Sequence, residues 1–241
     1  MREAFHEQMT DLARTLDEAA EQVCTAMDQA TRALLTADPA AAQAVVDRYH
    51  HITALTRAAE EKSFRLLVLQ APVAGDLRSI VSEIQIVDDL RRMGALARHV
   101  ADIGRRRQPN HFLPQHIAGY LGEIGRAAVA LGASAAKALR TRDPQHVTQL
   151  SARAQAIDLL HHRLTDTVMN PHRRHGIQTA VDVTLVSGDY ERFAAHAAAI
   201  GQRVLFLVTG AAAPDPQPEP TYEWALLSRS AAPAGERWPR R

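Results

Sequence analysis

The stretch Gln70-Ala-Pro-Val-Ala-Gly-Asp-Leu-Arg78 decides the fold of this chain. Pro72 cannot continue a helix arriving from its N-terminal side. Gly75-Asp76 opens a new one, with Asp76 a natural N-cap ahead of Leu77, Ile80, Ile84 and Val87. That third helix carries Asp89-Leu-Arg-Arg-Met-Gly-Ala95, and the segment recurs as Asp189-Tyr-Glu-Arg-Phe-Ala-Ala195. A helix stop, a helix start and a helix that appears twice predict two related bundles on one chain.

Upstream of the turn, Phe5, Met9, Leu12, Leu16, Ala19, Val23, Met27, Ala30 and Leu34 step by three and four, which predicts one long amphipathic helix over residues 2–36. Asp38-Pro39 ends it and opens the next, since Asp caps a helix and Pro suits its first turn. The second helix is expected over 40–69, and the third stops near Arg105-Arg-Arg107, ahead of Pro109-Asn110 and Pro114. The pattern then repeats. Residues 116–141 read as helix four, Asp143-Pro144 mirrors Asp38-Pro39, and 145–169 read as helix five, closed by Asn170-Pro171. Residues 177–209 read as helix six, ending before Gly210. The predicted fold is all-α: a tandem repeat of two antiparallel three-helix bundles, residues 1–110 and 111–210. Residues 211–241, which hold six of the twelve prolines, are expected to form a disordered tail. Within that tail, Tyr222-Glu-Trp-Ala-Leu-Leu227 is apolar enough to dock on this protein or a partner.

Composition agrees with helices. Apolar residues make up 46% of the 241 and aromatics only 5%, so the core rests on Ala, Leu, Val and Ile, and Ala permits close helix approach. A net charge of +1, from 28 basic and 27 acidic residues, gives no field that points to nucleic acid. A single cysteine, Cys24, excludes an internal disulfide framework. The first residues lack an apolar signal core and no run approaches a membrane span, so a cytoplasmic protein is expected. Nucleophile elbow, P-loop, Cys-x-x-Cys and Gly-x-Gly-x-x-Gly motifs are all missing, so no enzyme is expected.

The motifs resemble those of one family, the PhoU phosphate-uptake regulators. Gln70 to Arg78 looks like that family's turn between helices two and three, and Asp89 to Ala95 like the helix-three segment that follows it. Asp182-Val-Thr-Leu185, Tyr190-Glu-Arg-Phe-Ala-Ala-His196 and Leu207-Val-Thr-Gly210 match the end of the second repeat. The resemblance spans roughly residues 3–210 and implies two three-helix bundles.

It also implies a metal site, built from a Glu-x-x-x-Asp pair in each repeat. Only Glu191 is kept here; Arg91, Ala95 and Ala195 stand at the other three positions and cannot ligate. A guanidinium repels a cation and a lone carboxylate is a poor ligand set, so no cofactor is expected, with a divalent or iron ion the competing case. Arg91 is expected to pair with Glu191 if the two pseudo-symmetric faces meet; the alternative is that Glu191 is a solvated or locally paired helix carboxylate. Independently of the family, Asp47-Arg-Tyr-His-His51 and Asp158-Leu-Leu-His-His162 share a spelling loosely related to di-iron bundles. They do not fall at equivalent repeat positions, and surface histidines explain them as well. Met93 and Phe193, at matching positions, are expected in the core, and Arg105 to Arg107 are expected to serve the helix C-terminal dipole, with anionic headgroups the alternative.

The function implied by the resemblance is a phosphate uptake regulator. It would be an adaptor that keeps the phosphate-starvation response off by linking a high-affinity phosphate ABC transporter to a sensor histidine kinase. The implied partners are that kinase, the transporter ATPase and a second copy in a homodimer, close to the membrane only peripherally. Arg78, Arg92 and Arg192 are the motif arginines expected near helix junctions or at faces used in protein contact, with structural packing along neighbouring helices the alternative. The alternative is a metal-binding helical bundle with a storage or redox role.

Overall fold

The computed structural model describes residues 2–106, 113–169 and 176–211, with backbone only for Arg2 and Gln70. Six long helices account for nearly all of it: α1 (Arg2–Thr36), α2 (Pro39–Gln70), α3 (Ala74–Arg106), α4 (Gln115–Thr141), α5 (Leu150–Met169) and α6 (Ile177–Thr209). There is no strand among the described residues.

The chain changes direction where the local chemistry demands it. Asp38 caps α2, its Oδ1 accepting from Ala40 N at 2.9 Å and Ala41 N at 3.1 Å, with Pro39 in the first turn. Ala71, at φ 42, stops α2 in the left-handed region just before Pro72. The next helix starts earlier than the sequence suggests. Ala74, also left-handed at φ 47, begins α3, so Asp76 lies inside the first turn and is not the N-cap. Its negative charge still favours the helix N-terminus.

The second Asp-Pro junction behaves differently from the first. Asp143 Oδ1 accepts from Gln145 N at 2.9 Å, but only a single 3-10 turn, Pro144–His146, follows. The expected start of helix five at Gln145 is therefore corrected to Leu150. Packing draws the chain inward here: Val147 and Leu150 are buried against Gly201 of α6, where an added Cβ would stand 2.4 Å from Leu150 Cδ1.

The repeat is visible as a register of burial. Residues 81–90 and 181–190 show the same succession of buried, half-buried and exposed positions. Met93 and Phe193, at the equivalent places, are both fully buried. The two three-helix units share one continuous core, because α1 packs on α2, α3 and α4 while α6 packs on α3, α4 and α5. Deep in that core Tyr190 donates its hydroxyl to Thr31 Oγ1 at 3.0 Å, tying α6 to α1. The described helices form one compact unit. The boundary placed between residues 110 and 111, the Asn170-Pro171 stop and the tail from 212 onward lie outside the described residues.

Candidate functional site

The seam between α3 and α6 gathers the charge of the molecule's interior. Asp89 and Asp189 head the two recurring segments, and both are buried, Asp189 with no exposed surface at all. Each reaches across to the other helix. His196 Nδ1 lies 3.0 Å from Asp89 Oδ1, and His99 Nδ1 lies 2.6 Å from Asp189 Oδ2. These crossed pairs fix α3 and α6 as antiparallel. Arg203 Nη1 adds a 2.7 Å ion pair to Asp89, and Arg192 Nη2 a 2.6 Å one to Asp189. A third buried carboxylate on α3, Glu83, accepts from Arg142 Nη2 at 3.1 Å, at the C-terminal end of α4.

Burial is the larger influence on two of these acids. It raises the Asp189 carboxyl above its usual range against the opposing pull of His99 and Arg192. It pushes Glu83 up to about 7 against the pull of Arg142. Each carboxylate faces a cation or an imidazole rather than a nucleophile, so the arrangement holds helices in register. Sequence reasoning singled out Asp89 and Asp189 through their recurrence but not their pairing with His196 and His99. Those partners stand ten residues after one aspartate and seven after the other, a mismatch that only the antiparallel crossing makes sense of.

The positions of the family's metal pairs have a different environment. Arg91 is exposed and bonds to Asp88 on its own helix, not to Glu191 as expected. Asp88 holds the Arg91 pKa up, with the charges of Glu60 and Tyr49 on α2 adding to it. Ala95 and Ala195 are exposed and supply no donor atom, and Glu191 is half-buried. These residues do not fit a metal cluster. Among the described residues, no three His, Cys, Asp or Glu side chains are grouped to hold a metal ion.

The two Asp-x-x-His-His segments also serve separate neighbours. His51 Nε2 is 3.4 Å from Glu18 Oε1, and Asp47 accepts from Gln43 at 3.1 Å. His162 Nε2 is 3.1 Å from Asp158 Oδ1, while His161 Nδ1 is 2.8 Å from Ser187 Oγ. Burial holds the His161 pKa below its ordinary value.

The three motif arginines divide. Arg92 is exposed and pairs with Asp88 at 2.8 Å; Arg192 is exposed and pairs with Asp189. Arg78 is half-buried beside the end of α6, where a Cβ added to Gly210 would come within 2.8 Å of its Nη1. A positive charge there is favourably placed toward the negative end of the α6 dipole. Arg105, in the last turn of α3, pairs with Asp102 at 3.0 Å; Arg107 lies outside the described residues. No described helix is long and apolar enough to cross a membrane.

The sequence model of the PhoU domain matches this chain twice, over residues 16–104 and 121–204. The chain is 49% identical over 211 residues to phosphate-specific transport system accessory protein PhoU homolog 2 of Mycobacterium tuberculosis, covering 88% of this chain and 99% of that one. It is 48% identical over 210 residues to PhoU homolog 1 of Mycobacterium leprae, covering 87% and 95% respectively. Among solved structures, PhoU from Pseudomonas aeruginosa superposes with a TM-score of 0.81 at 24% identity, over 86% of this chain and all of that one.

Proposed function

Because the chain belongs to the PhoU family, we propose that it is an accessory regulator of phosphate transport that acts by contact rather than catalysis. It restrains the phosphate-starvation response by linking the ATPase of a phosphate ABC transporter to a sensor histidine kinase on the cytoplasmic side. The observation that carries this reading is the match of the whole two-repeat core to PhoU accessory proteins, at 49% identity across 88% of the chain.

The physical form suits an adaptor. Long parallel grooves between helices accept partner helices. Arg92 and Arg192 present exposed guanidinium groups at equivalent places on α3 and α6 and are the residues we assign to partner contact. Arg78, set against the end of α6, is the third residue we assign to contact, at the far end of the same two helices. The metal-bundle alternative finds less support, since Arg91, Ala95 and Ala195 supply no ligand. The action proposed here needs no metal at those positions.

The test is a phosphate-regulon reporter, such as alkaline phosphatase activity, in phosphate-rich medium with and without this gene. Derepression on deletion, reversed by the intact gene, is the expected outcome. An unchanged reporter in a strain lacking any second homologue would sink the negative-regulator reading.

A further inference from the structure

Where the second repeat departs from the first, it opens a cavity. In the first repeat α2 begins directly at Pro39. In the second the chain makes one 3-10 turn, Pro144–His146, and delays α5 until Leu150. The gap between that unwound stretch, α4 and the first turn of α5 is a cavity of about 300 Å³. Its lining includes Lys137 from α4, His146 from the turn and Arg153 from α5, together with Ser134, Gln149 and Leu150.

No carboxylate lines this cavity. The nearest acid to its imidazole is Asp143, 3.9 Å from His146 Nε2. Elsewhere on this side the basic residues are consumed: Arg140 pairs with Glu21 at 3.0 Å and Arg142 with Glu83. Neither Lys137 nor Arg153 forms an ion pair among the described residues. Arg153 Nη2 donates to Gln149 Oε1 at 3.0 Å, which leaves the Gln149 amide with its N–H donors and Arg153 with further N–H groups. The site therefore offers donors and positive charge with little to accept them.

We propose that this cavity binds a phosphate group, either as free orthophosphate or as the headgroup of a small phosphorylated molecule. Lys137 supplies a point charge, Arg153 a planar fork suited to two phosphate oxygens, and Gln149 neutral donors. The buried Leu150 side chain forms an apolar wall, and the volume exceeds what a bare anion fills, leaving room for an organic substituent. The assignment rests on the chemistry of the lining and stands apart from the adaptor role.

The experiment is calorimetric titration of the full chain with orthophosphate and, separately, with adenosine monophosphate, in low-salt buffer. The comparison is a Lys137→Gln/Arg153→Gln variant, whose exposed substitutions are expected to leave the thermal melt unchanged. Saturable binding of either probe that weakens at least about tenfold in the variant is the expected result, each charge-assisted contact contributing roughly that factor. Tighter binding of the nucleotide would identify an esterified ligand, and tighter binding of orthophosphate a free one. Absence of binding by both at low-millimolar concentration, or equal affinity in the variant, would overturn the proposal.

Discussion

Asp89 gives up nearly all its water in the α3–α6 seam and recovers partners from two side chains of the opposite helix, His196 and Arg203. Truncating it strands both of those groups in a half-buried place. Asp89→Ala is therefore expected to destabilise the fold by about 3 kcal/mol in urea unfolding, because an uncompensated buried charge costs more than the pair itself contributes. Asp89→Asn, which keeps an acceptor, is expected to cost less; equal losses would show that shape and not charge is at stake. Glu83 works in the opposite sense to an ordinary carboxylate. Burial pushes its pKa up to about 7 in the fold from an ordinary 4.5, so the native state keeps a proton that the unfolded chain releases. Its stabilising contribution is complete below the unfolded value and is lost as pH rises through about 7. Glu83→Gln cannot ionise and keeps the acceptor for Arg142. Relative to this variant, the native protein should lose melting temperature between about pH 5 and pH 8. Parallel curves would remove Glu83 from the account.

Among the elements, the two Asp-Pro junctions test how far a local signal reaches. Asp38 caps a long helix through two backbone N–H groups, and Asp38→Ala is expected to cost about 1 kcal/mol in a thermal melt. Asp143 satisfies one such group in a 3-10 turn. The dipeptide announces a helix start in both places, but burial of Val147 and Leu150 on Gly201 overrides it in the second. Close helix approach is equally demanding at Gly125 of α4. An added Cβ would stand 2.6 Å from Thr31 Cγ2 and 3.1 Å from Tyr190 Cζ. Thr31 is short and holds Met27 O at 2.8 Å while receiving the Tyr190 hydroxyl, so it has little freedom to yield. Gly125→Ala should therefore destabilise by about 1–3 kcal/mol by calorimetry, despite the better helix propensity of alanine.

For the molecule as a whole, the continuous core has a consequence for cooperativity. The faces of α1 and α3 that turn away from α2 are covered by α4 and α6, and neither three-helix unit keeps its apolar surface dry alone. One unfolding transition is expected, with the same midpoint from far-ultraviolet circular dichroism and from hydrogen exchange in α1 and in α5. Two separated midpoints would instead mean that the repeats are independent domains. The order of six helices, their approximate ends and the duplication were written in the chain itself. Apolar steps of three and four, Asp-Pro junctions and the recurring Asp89 and Asp189 segments are local patterns, and local patterns survive without knowledge of packing. What the tertiary structure alone decided was which groups meet: Asp89 with His196, Asp189 with His99, Arg91 with Asp88 rather than Glu191, and Lys137 with Arg153 around a cavity. Antiparallel crossing sets the two aspartate–histidine pairs 107 and 90 positions apart, at unequal offsets, so no spacing along the chain encodes those two contacts.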